Sequence, residues 1–219
     1  MKLQHDTKLV FIGDSISDYQ RGRPVGEGGH EGLGDSYVRL LDAFLRTTYP
    51  ERRIRLVNMG INGNTTRDLL ARWQTDVLDL HPDWLGILIG VNDVWRQFDC
   101  PLMTEIHVGP EEYEQNLRSL IAQAQPGLQG LILMTPYIME RNKNDAMRAR
   151  MDTYGAIVKK LAHETGAVFV DLQAAFDDYL RFYHPMSITW DRIHPDLLGH
   201  MIIAKAVLHA LDYNWNGEK

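Results

Sequence analysis

The chain has 219 residues, 44% of them hydrophobic, and 23 basic against 29 acidic side chains give a formal net charge of −6. That length suits one good core, and the acidic balance offers no basic footprint for nucleic acid. No apolar stretch reaches the ~18 residues of a membrane span, Met1 to Lys8 contain no apolar core of a signal peptide, and the single cysteine, Cys100, excludes an internal disulfide and suits a reducing compartment.

The first predicted element is a strand over 8–12, a short continuous apolar run of the kind buried on both faces of a parallel sheet. Gly13 then turns the backbone, and Ser15 emerges at the strand's carboxyl end, where open α/β sheets bind ligands. Gly13-Asp14-Ser15-Ile16-Ser17 is not the G-x-S-x-G elbow, and on its own either serine reads equally as a turn or helix cap. Residues 22–34, rich in glycine and charge, fit neither strand nor helix; they predict a surface loop near Ser15 that shapes a site mouth, meets another subunit or is merely mobile. Tyr37, Leu40, Leu41, Phe44 and Leu45 then recur at helical spacing.

A second strand over 54–58 runs into Asn58-Met59-Gly60-Ile61-Asn62-Gly63-Asn64, a turn whose glycines expose backbone N–H groups. Thr65 or Thr66 caps a helix carrying Leu69, Leu70, Trp73 and Val77. The third strand, 84–89, ends at Gly90 and presents Asn92, whose side-chain amide can donate to a developing oxyanion. Residues 95–108 read as irregular. Pro110 with Glu111 and Glu112 starts a helix bearing Tyr113, Leu117, Leu120 and Ile121. Strands over 130–134 and 168–171 and helices over 144–164 and 197–211 complete the pattern. This alternation predicts an α/β fold, doubly wound, with five parallel strands in the order 2-1-3-4-5, as a single domain over 1–219.

Asp191 and His194 stand three positions apart in Thr189-Trp190-Asp191-Arg192-Ile193-His194-Pro195. A serine hydroxyl is a poor nucleophile unless a base lies within hydrogen-bond reach, and that base needs a partner to fix its tautomer and stabilise its charge. Such a pair often arises by chance. Its weight here comes from three apolar strands that each end in glycine plus a polar group.

Gly13-Asp14-Ser15, the glycine turn at Gly63, Gly90-Val91-Asn92-Asp93 and Asp191 with His194 together resemble, in the expected order, the four blocks of the SGNH, or GDSL-type, hydrolases. The resemblance implies a flavodoxin-like three-layer α/β/α sandwich and acyl-ester hydrolysis. It makes Ser15 the nucleophile, His194 the base and Asp191 its orienting partner, with an oxyanion hole built from the Ser15 N–H, the Gly63 N–H and the Asn92 side chain. The first block reads GDSI rather than GDSL, a change of packing only. Phe11 to Ile16, 58–67, 89–96, 133–136 and 190–195 look like the bacterial acetylxylan esterases of this class. That narrower likeness implies deacetylation of xylose units without metal or cofactor, a cytoplasmic location and homo-oligomers, octamers included, while charge and the lack of an apolar span leave no membrane or nucleic-acid partner expected.

Around these blocks, Trp95 and Trp190 offer aromatic faces to a sugar ring, with core packing as the competing use. Asp14 and Asp93 are placed to accept hydrogen bonds that shape the serine turn and the Asn92 loop. His30, His81, His107, His163, His184, His200 and His209 form no zinc-binding pair. The alternatives are a GDSL-type lipase, lysophospholipase or general carboxylesterase, a metal-dependent phosphoesterase, and a catalytically silent carbohydrate-binding module. Tyr213 and Trp215, beyond the last helix, are expected at a subunit interface unless they fold back on their own domain.

Overall fold

The computed structural model describes residues 1–29 and 32–217. One sheet is formed by β1 (Lys8–Gly13), β2 (Arg55–Asn58), β3 (Trp84–Leu88), β4 (Gly130–Met134) and β5 (Val168–Val170). Its order is β2-β1-β3-β4-β5 and every pairing is parallel, as the sequence pattern predicts. Helices cover both faces, so the strands are apolar throughout rather than alternating; every residue of β3 is buried. Gly86 in β3 is required by close approach, because a Cβ there would stand 2.4 Å from the ring of Phe11 on the neighbouring strand.

Eight helices accompany the sheet among the described residues: α1 (Ser15–Asp18), α2 (Tyr37–Thr48), α3 (Thr66–Asp76), α4 (Val91–Asp99), α5 (Pro110–Ala124), α6 (Ala146–Thr165), α7 (Leu172–Leu180) and α8 (Leu197–Ala210). They pack as two groups, α2 and α7 against α8, and α5 against α3 and α6 with α4 also on α6, which gives the expected three layers. Most starts are set by a polar residue, while α4 and α5 begin at Gly90 and at Gly109-Pro110. The Asp68 carboxylate accepts the Thr65 N–H at the head of α3, Asp145 accepts from Arg148 at the head of α6, and Asp196 accepts from Leu198 and Gly199 at the head of α8.

Four expectations need correction. Residues 95–108 are not irregular throughout, because α4 runs to Asp99; Val91, Val94 and Trp95 share a stripe against the core that the intervening Asn92 and Asp93 disguise. Helix α7 was not anticipated, since Asp171, read as the end of a strand, is its N-cap, accepting from Ala174 at 2.9 Å. The cap at the nucleophile turn is neither serine but Asp14, which accepts the Ile16 N–H at 3.0 Å, while the Ser17 hydroxyl bonds Tyr37. Tyr213 folds back at 8% exposure between Phe44 and Tyr49, donating to the Phe44 carbonyl, so of the two terminal aromatics only Trp215 is left half exposed, at 54%.

The loop over 22–34 is a loop, as expected, and its described part is anchored. Gly26 bridges Asn58 at the end of β2, and Gly22 donates to the Gly32 carbonyl at 2.9 Å. The buried Arg21 guanidinium donates to the carbonyls of Gly60, Gly22 and Pro24. His30 and Glu31 lie outside the described residues.

Candidate active site

The parallel register brings the carboxyl ends of β1, β2 and β3 side by side, and the polar segments that follow them converge there. Ser15 opens α1, and its Oγ stands 2.8 Å from Nε2 of His194. His194 Nδ1 is in turn 2.5 Å from Oδ2 of Asp191. The other oxygen, Oδ1, accepts the backbone N–H groups of Ile193 and His194 at 2.9 and 2.8 Å and the Thr189 hydroxyl at 3.1 Å. One carboxylate therefore folds its own turn and orients the ring. Burial pushes Asp191 up, but the hydrogen bonds from the His194 ring and from the His194 and Ile193 backbone outweigh it and hold the carboxyl below its ordinary range. An ionised Asp191 accepts a hydrogen bond from Nδ1–H, which fixes that tautomer and leaves the Nε2 lone pair facing the serine hydroxyl.

The turn is braced from two sides. Arg192 occupies the left-handed region at φ 69°, its guanidinium 2.9 Å from Glu140 and 3.3 Å from Asp145, and its carbonyl accepts the Met139 N–H. The Tyr19 hydroxyl donates to the Pro195 carbonyl at 2.6 Å.

Across from this loop, residues 60–64 lie against the nucleophile segment. Ile61 donates to the Gly13 carbonyl, Gly60 to Oδ1 of Asn58, and the Asn58 amide to the carbonyls of Ser17 and Leu33. Gly63 sits at φ 78°, a conformation that favours glycine. Asn92 is buried in the first turn of α4, and its Nδ2 donates to the Asn64 carbonyl at 2.9 Å, which sets it against the Gly63 turn and uses one of its two amide hydrogens. Asp93 accepts from the N–H and hydroxyl of Thr66, and burial pushes its carboxyl up to about 6. Burial likewise pushes Asp14, under the serine turn, up to about 7.

A cleft of about 620 Å³ opens over the serine, lined by Ser15, His194 and Trp190 together with Asp18, Tyr19, Gln20, Arg23 and Asn62. Trp190 is 85% exposed, and its ring lies nearly parallel to that of His194 with centroids 6.3 Å apart. Trp95 is partly buried against the core, 5.8 Å from the His194 ring, with Arg96 stacked over it. Gly63 directly follows Asn62 of the cleft lining, and Asn92 is tied to the same turn through the Asn64 carbonyl. Among the described residues no cluster of three or more His, Cys, Asp or Glu side chains could hold a metal ion. His200 is buried, accepts the Tyr37 N–H at Nδ1, and is held down to about 3 by that burial.

Sequence reasoning missed several residues around the site. Arg72 donates to the carbonyls of Gly13 and Met59 and to the Asn64 side chain, tying β1, β2 and the glycine turn together. Its signal was an arginine one position from Trp73 on the inward stripe of α3, paired with Asp76 one turn on. Asp18, Arg23, Glu140 and Arg192 were missed as well; Arg192 pairs with Glu140 across 52 residues, and Arg23 reaches Asp18 of α1 from the following loop.

The family model described as GDSL-like lipase/acylhydrolase matches residues 11–202. An acetylxylan esterase from Geobacillus stearothermophilus is 51% identical over 215 residues, which is 98% of each chain. The crystal structure of the Geobacillus stearothermophilus acetylxylan esterase Axe2 superposes with a TM-score of 0.98 at 50% identity over 100% of both chains. Structures of that enzyme's catalytic mutants S15A, D191A and H194A superpose equally well, with TM-scores of 0.98, 0.98 and 0.99. Likeness over the whole sheet and all four polar segments makes this chain a member of the GDSL-like lipase/acylhydrolase family.

Proposed function

We propose that the chain, as one hydrolase domain, is a serine esterase that removes short acyl groups, foremost acetyl, from xylo-oligosaccharides or related carbohydrates. The observation that carries this is the run of contacts from Ser15 to His194 to Asp191 at the mouth of the cleft. Ser15 Oγ attacks the ester carbonyl as His194 Nε2 takes its proton, and Asp191 stabilises the imidazolium. Negative charge grows on the carbonyl oxygen, where the N–H groups of Ser15 and Gly63 and the Asn92 amide donate. His194 returns the proton to the leaving alcohol, and the acyl group stays on Ser15. Water, deprotonated by the same histidine, then releases the acid and restores the serine. No metal or cofactor enters any step.

A carbohydrate as leaving alcohol is supported by the exposed Trp190 face beside hydroxyl-binding groups on Gln20, Asn62 and Arg23. The acetylxylan esterase relatives point the same way. A lipase would need an apolar channel for a long chain, whereas five of the eight residues lining this cleft are Asp18, Tyr19, Gln20, Arg23 and Asn62. The test is a panel of acetylated xylo-oligosaccharides, p-nitrophenyl esters of rising chain length and phospholipids. kcat/KM is expected to be highest on the acetylated sugars and to fall beyond four acyl carbons; preference for octanoate or phospholipid would overturn the reading. A serine-directed fluorophosphonate is expected to label Ser15, which a silent binding module would not allow.

The proposal extends to assembly and location. A homo-oligomer, an octamer by the family likeness, is supported by half-exposed Trp215 and by exposed Phe182, Met186 and Leu197, large apolar side chains of the kind buried between subunits. Light scattering should find a particle larger than one 25.1 kDa chain. A cytoplasmic location is supported by the single, unpaired cysteine. Among the described residues no helix is long and apolar enough to cross a membrane.

A further inference from the structure

We infer that Asp18 is a positioning residue for the Gly63 N–H, holding the turn that presents this donor to the oxyanion; the inference rests on the oxyanion hole proposed above. Asp18 closes α1, three residues after Ser15, and lines the cleft at 5% exposure. Its Oδ2 accepts two hydrogen bonds, from the Asn62 backbone N–H at 2.9 Å and from the Arg23 guanidinium at 2.6 Å. Its Oδ1 is buried without a hydrogen-bond partner among the described residues. A buried carboxylate with one oxygen idle is costly even with these two bonds to the other, so something besides local stability must favour it.

The local geometry supplies that something. Nothing stands within 4 Å of the point where a Cβ on Gly63 would lie, so packing does not hold this residue from its side-chain direction. Its N–H belongs to the Asn62–Gly63 peptide, the next one along from the peptide whose N–H Asp18 holds, so the hold on Asn62 limits how far the Gly63 N–H can swing. The turn is already seated on α1, since a Cβ on Gly60 would come within 2.4 Å of the Asp18 backbone nitrogen. Ile61 is fixed to Gly13 on one side, and Asn64 to Ile61 and Asn92 on the other. The Asp18–Asn62 bond closes the remaining gap between these anchors. Arg23 secures the carboxylate from the rim with a charge-assisted bond.

Oxyanion donors work because they are aimed before the reaction starts. Removing one costs about 10²–10³ in kcat, and letting one swing should cost less, on the order of 10–100-fold. Asp18→Ala should lower kcat on p-nitrophenyl acetate by about that factor, with KM within about threefold, because the loss falls on the transition state. Affinity for phenylboronic acid, whose tetrahedral adduct places an oxygen in the hole, should fall by the same factor as kcat/KM. Asp18→Asn keeps an acceptor for the Asn62 N–H and should recover most of the rate. Asn62→Pro deletes the same bond from the donor side and should reproduce the loss, which covers the case in which Asp18→Ala does not fold. A folded Asp18→Ala with unchanged kcat, a change in KM alone, or undiminished boronate affinity would overturn the inference. With Asn92→Ala measured alongside, an impaired Asn92 variant beside a silent Asp18 variant removes only the role of Asp18; if both are silent, the proposed hole falls too.

Discussion

The two walls of the cleft are built in different ways. The serine wall is a shelf of buried hydrogen bonds at the ends of three parallel strands, where Asn58, Arg72 and Asp93 each hold backbone that belongs to another element or turn and Asp14 caps the serine turn itself. The histidine wall is a loop between α7 and α8 that exposes Phe182, Met186 and Trp190, and its shape depends on the Asp191 turn and on Arg192 paired with Glu140 and Asp145. The nucleophile and its donors are thus fixed to rigid scaffold, while the base rides on a segment adjusted by a few polar contacts. Changes to these buried supports of the first wall should disturb folding along with chemistry. Changes on the second should disturb chemistry while the fold survives.

The largest expected effects cut the contact that joins the two walls. Ser15→Ala and His194→Ala should each lower kcat by several orders of magnitude with little change in the thermal midpoint, since triad members act as a unit. Asp191→Asn should cost on the order of 10⁴-fold in kcat, because the amide does not lock the Nδ1–H tautomer. Single-turnover kinetics with p-nitrophenyl acetate check all three, and near-wild-type acylation in any of them would remove that residue from the scheme. Asn92→Ala comes next, with a loss of about 10²–10³ in kcat and KM within a few-fold. Asn92 also braces the Asn64 carbonyl on the buried wall, so this variant should lose thermal stability as the His194 variant does not. An effect confined to KM would recast Asn92 as a substrate-binding residue.

The same contrast explains how much of the molecule is legible in its sequence. The sheet is readable because strands buried on both faces are continuous apolar runs; β4 starts and ends where the pattern places it. Helix α4 is obscured because its first turn spends Asn92 and Asp93 on the site rather than on amphipathic spacing, and α7 because a strand merges into its cap without a loop. Ser15, Asp191 and His194 stand out by residue type and local spacing. Their supports do not, since the Arg72 bond to Gly13 and the Arg192 bond to Glu140 span 59 and 52 residues and exist only once the sheet has closed.

Arg192 offers a finer cut on the histidine wall. Arg192→Ala removes both ion pairs, each partly exposed and so worth about 0–1 kcal/mol, and keeps a side chain at positive φ. Arg192→Gly removes the same ion pairs but relaxes the backbone. If the ion pairs aim the turn, both variants should lose about tenfold in kcat at low salt, and the wild type should approach them as salt rises and screens its ion pairs. Should glycine restore the wild-type rate while alanine does not, backbone strain rather than charge sets the loop. Steady-state kinetics from low to high sodium chloride distinguish these outcomes.

The smallest effect belongs to the serine wall and is read in stability rather than rate. Burial raises Asp14 from 3.8 to about 7 in the folded protein, with the neighbouring charge of Asp93 adding to the shift. A carboxyl whose folded pKa lies above its unfolded value binds its proton more tightly when folded. Its contribution is therefore complete below pH 3.8 and is lost as pH rises towards about 7, with no further change beyond. Asp93, raised to about 6, adds a shallower loss over the lower part of the same window. Asp191 has the opposite sign, with its carboxyl held low, and its contribution is lost only as pH falls below the ordinary aspartate range. Buried His200, held down to about 3 from 6.5, opposes Asp14 and Asp93 by gaining stability as pH rises to about 6.5. From pH 5 upward, however, Asp14 and Asp93 together span more of the window, so the wild type should be less stable at pH 8 than at pH 5. Asp14→Asn keeps an oxygen for the Ile16 N–H but cannot ionise, so its urea midpoints at the two pH values should lie closer together than those of the wild type. Each variant is compared with itself across pH, so the other titrating groups cancel between the two proteins. Equal pH dependence in both would mean that Asp14 is solvated or ion-paired in solution, and that the shelf beneath the nucleophile is less closed than its hydrogen bonds imply.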